Sequence, residues 1–200
     1  SISEYDDKIP TNLTAEEILI RSGNIGSARI AEKIGIENFD KFLKTIGILE
    51  NINFDIEEVG ETQMGRWGKC KLLTVGFGHG IATSLLQLTK GYAIVSNGGF
   101  EIFPTLIKRD KYKKGKKILN DEVSKNLNQI LRKIVSTKEG TAGFADVKGY
   151  EIGGKTGTAD IATIGGYSKK KINTFASIFP ASRPKFVLVV MLDEPKANKE

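Results

Sequence analysis

The stretch Gly153-Gly154-Lys155-Thr156-Gly157-Thr158-Ala159 carries the most informative combination of side chains in this sequence. On a strand that borders a cleft, the Lys155 ammonium and the Thr156 hydroxyl can hold the carboxylate of a substrate. Gly157 has no side chain, so a substrate backbone can approach the strand there and pair with it. The alternative is an ordinary surface strand that ends in a turn. The stretch therefore predicts a strand and makes it the first candidate for a binding site.

The residues around this strand indicate a small antiparallel sheet. Runs rich in β-forming residues cover 150–157, 172–179 and 185–192. The last two runs flank Pro180-Ala181-Ser182-Arg183-Pro184, a segment typical of turns, so we expect them to form a hairpin.

The earlier part of the chain is predominantly helical. Thr14 and Glu17 have the spacing of a capping box, which predicts a short helix over 15–20. Apolar residues at helical spacing predict further helices in 25–34, 39–46, 82–93 and 123–134. We expect the glycine-rich residues 50–80 to form an irregular connection. Helices first and strands last favour an α+β architecture in one domain spanning residues 1–200.

Size and composition narrow the class of protein. A chain of 200 residues with 40% hydrophobic content can bury one core. Its longest apolar run, 186–192, is far shorter than the roughly 20 residues that cross a bilayer. Cys70 and His79 are the only residues of their types, which excludes an internal disulfide and a Cys/His zinc cluster. Residues 1–8 have no features of a secretion signal, so we expect any targeting information to lie upstream or to be missing.

The net charge of +6 is concentrated in residues 108–117, where seven basic residues accompany one acidic residue. Such a run can bind nucleic acid or an anionic surface. Only Tyr112 could stack on a base, so we expect a solvated loop and no nucleic-acid partner.

Two segments fit a Ser-x-Asn pattern. Ser22-Gly23-Asn24 falls at the junction of two predicted helices, where helix capping is the alternative role. Ser124-Lys125-Asn126 falls on the predicted polar face of a helix, together with Asn128, where we expect an ordinary solvated role.

The combined motifs resemble the transpeptidase domain of class B penicillin-binding proteins, and in particular the division-specific transpeptidases. The matching segments span nearly the whole chain: 13–19 leading into Ser22-Gly23-Asn24-Ile25-Gly26, the Gly-rich turn 75–80 before Thr83-Ser84-Leu85-Leu86-Gln87-Leu88, and 149–159. The middle match separates this group from simple β-lactamases. The resemblance implies a penicillin-binding protein/β-lactamase-like fold, in which a five-stranded antiparallel sheet faces a helical cluster.

The resemblance also implies a role for each matching residue. Ser22 would relay protons, Asn24 would hold a substrate amide carbonyl, and Lys155 would place positive charge beside the attacked carbonyl. Thr156 and Thr158 would receive the terminal carboxylate, and Gly157 would allow the substrate to approach. The backbone N–H of Thr158 would form half of an oxyanion hole, and the N–H of the nucleophile the other half. No cofactor or metal is implied.

The nucleophilic Ser-x-x-Lys motif of this family does not precede Ser22 in the sequence. Ser168-Lys169-Lys170-Lys171 and Ser182-Arg183-Pro184-Lys185 match formally, but both follow Lys155 and lack the helical setting that activates the serine. We therefore expect the chain to be the C-terminal part of the domain, with three of its five strands, an open sheet edge and no activity alone. His79 could pair with a serine, and Trp67 and Tyr167 could line the cleft. For all three we expect structural or incidental roles.

By resemblance, the full-length protein would be a D,D-transpeptidase acting on peptidoglycan stem peptides that end in D-Ala-D-Ala, and it would be acylated by β-lactams. It would lie in the cell envelope on the periplasmic side of the inner membrane, anchored by an N-terminal segment, with division proteins as partners. The alternatives are an elongation-type transpeptidase, a D,D-carboxypeptidase and a non-catalytic penicillin sensor.

Overall fold

The computed structural model describes residues 2–57, 59–111, 115–163 and 166–196, with the backbone alone at 162, 163, 166, 167 and 169. Within them, helices and strands follow in this order: α1 Ala15–Arg21, α2 Asn24–Ile34, α3 Ile36–Thr45, β1 Gln63–Met64, α4 Lys69–Gly76, β2 Ile81–Ala82, α5 Leu85–Ser96, α6 Asp121–Ser136, β3 Gly153–Thr163, β4 Gly166–Phe179 and β5 Phe186–Asp193. The predicted α+β class is confirmed.

The capping box predicted at the start of α1 is present. The Thr14 hydroxyl accepts the N–H of Glu17, and the Glu17 carboxylate accepts the N–H of Thr14 at 2.8 Å. Each side chain satisfies an amide that the first turn of the helix leaves without a partner. The helix starts where the sequence predicts and ends one residue later, at Arg21.

Strands β3, β4 and β5 form an antiparallel sheet in that order. Gly157 pairs with Thr174 across β3 and β4, and Phe179 pairs with Phe186 at the predicted hairpin between β4 and β5. Strand β3 starts three residues later than the predicted run and continues to Thr163, and β4 starts at Gly166, six residues before its predicted run. The hairpin prediction is confirmed.

Helix α6 packs directly on this sheet. Ile134 of α6 and Ile178 of β4 are fully buried in a cluster that also contains Ile20 of α1. A Cβ at Gly153 would lie 3.0 Å from the backbone nitrogen of Arg132, so the strand approaches the helix more closely than most residues permit. α6 thus fixes the position at which β3 begins.

The prediction of an irregular connection over residues 50–80 is wrong in part. This region contains α4 and the strand β1, which pairs with β2. Leu72 and Val75 are buried on one side of α4. On the same helix, a Cβ at Gly76 would lie 2.6 Å from the Ala31 Cβ of α2. Packing against α2 therefore outweighs the low helix propensity of this glycine-rich segment. α5 begins at Leu85 because Ser84 and Gln87 form a second capping box there.

The prediction of a solvated role for Ser124 and Asn128 is also wrong. Both side chains are buried between α6 and the end of α5. The Ser124 hydroxyl donates to the Val95 carbonyl at 2.5 Å and accepts the N–H of Gly98 at 3.0 Å, and Asn128 donates to Ser96 at 3.1 Å. These polar groups satisfy the carbonyls and amides at the end of a neighbouring helix, a contact that helical periodicity does not reveal.

Candidate active site

Ser22 ends α1 in a left-handed backbone conformation, with φ 57° and ψ 41°. This conformation is uncommon for a residue with a side chain, and it clusters at functional positions. The turn is held by the N–H of Gly23, which donates to the Ile18 carbonyl at 2.9 Å, and α2 begins at the next residue. The sharp reversal presents the Ser22 side chain between the two helices and the sheet.

Lys155 of β3 reaches this turn. Its Nζ donates to the Ser22 Oγ at 2.6 Å and to the carbonyl of Thr156 at 2.8 Å. The two sequence motifs are therefore in direct contact although they are 133 residues apart. A charged donor shortens and strengthens such a hydrogen bond.

Burial of the Lys155 ammonium lowers its pKa to about 8 from the usual 10.5. Desolvation disfavours the charged form, and no carboxylate among the described residues forms an ion pair with Lys155 to offset it. A negatively charged group that enters the site could therefore form an ion pair with the Lys155 ammonium. Perturbed ionisation of this kind is common at functional sites.

Asn24 is the first residue of α2, two positions after Ser22. Its side-chain Nδ2 donates to the carbonyl of Ser3 at 3.0 Å, and its backbone N–H donates to the Glu4 carboxylate at 2.6 Å. One of the two Nδ2 hydrogens is thus committed to Ser3, and the other has no acceptor among the described residues. Neither Ser3 nor Glu4 was singled out by any pattern in the sequence.

Thr156, Gly157 and Thr158 continue along β3 from Lys155. Thr156 shares a hydrogen bond of 2.8 Å with Thr141, whereas Gly157 and Thr158 are exposed. Within the described residues β3 pairs with β4 alone, so its other edge presents unpaired backbone groups. An extended peptide can add to such an edge as a further strand. Thr141 was not predicted, because the loop that carries it shows no periodicity.

The remaining serine candidates lie elsewhere in the fold. Ser168 is in β4, where its hydroxyl accepts the N–H of Lys170 at 3.1 Å. Ser182 is in the β4–β5 turn and donates to Glu151. Ser124 is buried in α6, as described above. Within the described residues, Lys155 donates to Ser22 and Thr156 and to none of these three serines.

Trp67 and His79 have packing roles where the structure describes them. Trp67 donates its indole N–H to Asp40 at 2.7 Å and packs edge-on against Phe39, and the His79 ring packs against Phe77 at 5.1 Å. The side chain of Tyr167 lies outside the described residues. Across the described ranges, no group of three His, Cys, Asp or Glu side chains could hold a metal ion, and no helix in them is long and apolar enough to span a bilayer.

The basic run is described only in part, because residues 112–114 lie outside the described ranges. Residues 108–111 are exposed. Lys117 forms an ion pair with Asp121 at 2.6 Å and lies 5.3 Å from the centre of the Phe100 ring. These contacts are typical of a solvated surface, and the absence of a nucleic-acid partner stays a prediction.

Comparison with known proteins gives a consistent result. A family model described as the penicillin binding protein transpeptidase domain matches residues 1–200. The chain is 29% identical to a probable peptidoglycan D,D-transpeptidase FtsI of Caulobacter vibrioides, over 93% of the chain and 33% of that protein. It is 33% identical to the peptidoglycan D,D-transpeptidase FtsI of Buchnera aphidicola, over 94% of the chain and 34% of that protein.

The solved structures agree with the sequence relatives. The transpeptidase domain of penicillin-binding protein 3 from Burkholderia pseudomallei superposes with a TM-score of 0.85 at 27% identity, covering 92% of this chain and 57% of that one. Penicillin-binding protein 3 from Mycobacterium tuberculosis, in complex with aztreonam, gives 0.82 at 25% identity, covering 91% and 45%. The chain spans about one third of the length of the two curated relatives.

Proposed function

This chain belongs to the penicillin-binding protein transpeptidase family, and from that premise we propose that it forms part of a peptidoglycan D,D-transpeptidase in the cell envelope. The observation that carries the proposal is the 2.6 Å hydrogen bond from Lys155 to Ser22, which unites the two motifs at the edge of one strand. The substrate would be a stem peptide that ends in D-Ala-D-Ala. The relatives named as peptidoglycan D,D-transpeptidases support this activity and substrate class.

The edge of β3 would bind the end of the substrate. The terminal carboxylate would lie against the exposed Thr158 and the hydroxyl of Thr156, and the peptide would pair with the strand at Gly157. Lys155 would add positive charge beside the attacked carbonyl, since its ammonium has no carboxylate partner among the described residues. Asn24 would donate its free Nδ2 hydrogen to a substrate amide carbonyl.

The reaction would form and then break an acyl-enzyme. A serine hydroxyl attacks the penultimate D-Ala carbonyl, the peptide C–N bond breaks, and terminal D-Ala leaves with the proton that the serine gave up. Ser22 would pass that proton to the leaving amine, through its contact with Lys155. The N–H of Thr158 would stabilise the oxyanion. An amine from a neighbouring stem peptide then attacks the ester and restores the serine.

The nucleophile of this reaction would come from outside the 200 residues, and residues 1–200 would be the C-terminal part of the domain. The position of both internal Ser-x-x-Lys matches supports this, because Ser168 and Ser182 are engaged in other contacts on β4 and the β4–β5 turn. The chain alone would then be inactive. The full-length protein would be acylated by β-lactams, as a relative in complex with aztreonam suggests.

The cellular role would be septal wall synthesis, which the FtsI names of relatives support. The full-length protein would be anchored in the inner membrane by an N-terminal segment, with this domain on the periplasmic side and division proteins as partners.

The test is a turnover assay of the full-length protein with a synthetic stem peptide ending in D-Ala-D-Ala, with and without an added acceptor amine. We expect release of D-Ala together with an amide product that contains the acceptor. Release of D-Ala with water as the sole acceptor would indicate a D,D-carboxypeptidase instead of a transpeptidase. A stable acyl-enzyme without turnover would indicate a penicillin sensor.

A further inference from the structure

The N-terminal residues 3–5 contact the Ser22–Asn24 turn at several points. The Ser3 carbonyl accepts Asn24 Nδ2 at 3.0 Å, and the Tyr5 hydroxyl donates to the carbonyl of Arg21 at 2.9 Å. Between them, the two oxygens of the Glu4 carboxylate accept the N–H of Asn24 at 2.6 Å and the N–H of Ile25 at 3.1 Å. A segment about 20 residues away in sequence thus fixes both sides of the turn.

Helix α2 has no local capping group. Its N-cap is Gly23, which has no side chain to accept the first amides of the helix, and its first turn contains no acidic residue. Glu4 fills this role from a distance, because each carboxylate oxygen accepts one amide that would otherwise lack an intrahelical partner. A negative charge at the start of an 11-residue helix is also favoured by the helix dipole.

We propose that Glu4 is a positioning residue of the active site. It fixes the start of α2 and thereby holds Ser22 and Asn24 in place relative to Lys155. This inference rests on the proposed transpeptidase function. The two Glu4 oxygens set the rotation of the first α2 turn, and Asn24 is the residue at which that turn starts. Loss of the carboxylate lets this turn shift relative to β3, and small displacements of groups that act on a transition state reduce the rate strongly.

Two Glu4 variants distinguish the effect of losing the carboxylate from the effect of shortening the side chain. Glu4→Gln keeps the length of the side chain but has one acceptor oxygen and directs an NH2 group at the second amide. Glu4→Asp keeps both acceptors on a side chain that is one methylene shorter. Asn120→Ala is the matched control, because it removes the side-chain cap of α6, where Asn120 accepts the N–H of Val123 at 2.8 Å.

The measurement is the rate of acylation of the full-length protein by a fluorescent penicillin at saturating concentration, with the labelled fraction determined separately. We expect Glu4→Gln to lower the saturated rate by about 10- to 100-fold, Glu4→Asp to recover part of it, and Asn120→Ala to retain the wild-type rate. In the 200-residue chain, hydrogen exchange at the Asn24 and Ile25 amides should become faster in Glu4→Gln than in wild type, and it should stay unchanged in Asn120→Ala.

A purely structural role for Glu4 gives a different result, in which fewer molecules label and those that label do so at the wild-type rate. That result, or an equal loss of rate in Asn120→Ala, overturns the inference and leaves the proposed function intact. Failure of the wild-type protein to be acylated overturns the proposed function, and the inference with it.

Discussion

The Nζ of Lys155 and the Oγ of Ser22 lie 2.6 Å apart, and the same ammonium is desolvated enough that its pKa falls to about 8. We therefore expect one lysine of this chain to titrate well below the others. An NMR titration of chain labelled at the lysine 13Cε positions should show one signal with a midpoint near pH 8, and Lys155→Met should remove that signal. A Lys155 signal that titrates with the bulk of the lysines would contradict the buried contact.

The same pKa has a consequence for stability. Because the pKa of Lys155 is lower in the folded chain, the unfolded chain binds more protons between pH 8 and 10.5. The free energy of unfolding should therefore rise with pH through that window, because deprotonation of Lys155 relieves the cost of its buried charge. Below pH 8 both states are protonated, and the cost of the buried charge is present in full. Urea unfolding of wild type and Lys155→Met at pH 8 and 10 should show this gain in wild type only.

Two glycines of β3 make a matched pair, because an added methyl group should reduce stability at one of them and not at the other. A Cβ at Gly154 would lie 2.8 Å from the Ala176 carbonyl oxygen and 2.6 Å from the Phe175 ring, whereas a Cβ at Gly157 would have nothing nearer than 4.0 Å. Gly154→Ala should cost about 1–3 kcal/mol of stability, since backbone must move to relieve the contact. Gly157→Ala should leave stability nearly unchanged.

Gly157→Ala should instead slow acylation in the full-length protein, because its methyl group stands at the exposed edge where the substrate would pair. Urea unfolding measures the change in stability of each variant, and labelling with a fluorescent penicillin measures the rate of acylation. Equal destabilisation by both substitutions would show that the space around β3 differs from that described, and unchanged acylation in Gly157→Ala would remove Gly157 from the site.

The strand β5 exposes alternate apolar side chains on one face and is an edge strand within the described residues. Leu188 is 51% exposed and Val190 is 44% exposed, with Phe186 and Leu192 on either side of them along the strand. An unpaired apolar edge strand is a template for association. We expect the isolated chain to self-associate through β5.

Sedimentation velocity over a range of concentrations tests this prediction. Leu188→Lys should shift the chain toward monomer, and Leu106→Lys, at a leucine that is 68% exposed elsewhere on the surface, should not. A wild-type chain that stays monomeric over the whole concentration range would contradict it.

The sequence predicted the parts of the fold that depend on neighbouring residues. The α1 capping box, the strand that carries Lys155 and the hairpin after β4 all follow from local patterns of polar, apolar and turn residues. The parts it did not predict depend on distant partners. Helix α4 lies in a glycine-rich segment and packs against α2, where Gly76 allows a close approach to Ala31, and neither residue indicates this alone.

The same distinction applies to the site. Ser22 and Lys155 were recognisable because each lies in a short motif, and the structure brings the two together. Glu4 and Thr141 lie in no motif, and their contacts with Asn24 and Thr156 span 20 and 15 residues of sequence. Polar groups of this kind are identified only when the fold shows which buried or terminal backbone groups they satisfy.

Labelling of the full-length protein with a fluorescent penicillin, with the adduct confirmed by intact mass, tests the central claim most directly. The matched variants are Lys155→Met and Lys170→Met, since Lys170 is an exposed lysine of β4 paired with Glu194 at 2.8 Å. We predict one covalent adduct in wild type, an unchanged rate in Lys170→Met, and a loss of roughly 100-fold or more in Lys155→Met. Labelling of Lys155→Met at the wild-type rate, or no adduct in the wild-type protein, would contradict the assignment of the Ser22–Lys155 site as a transpeptidase active site.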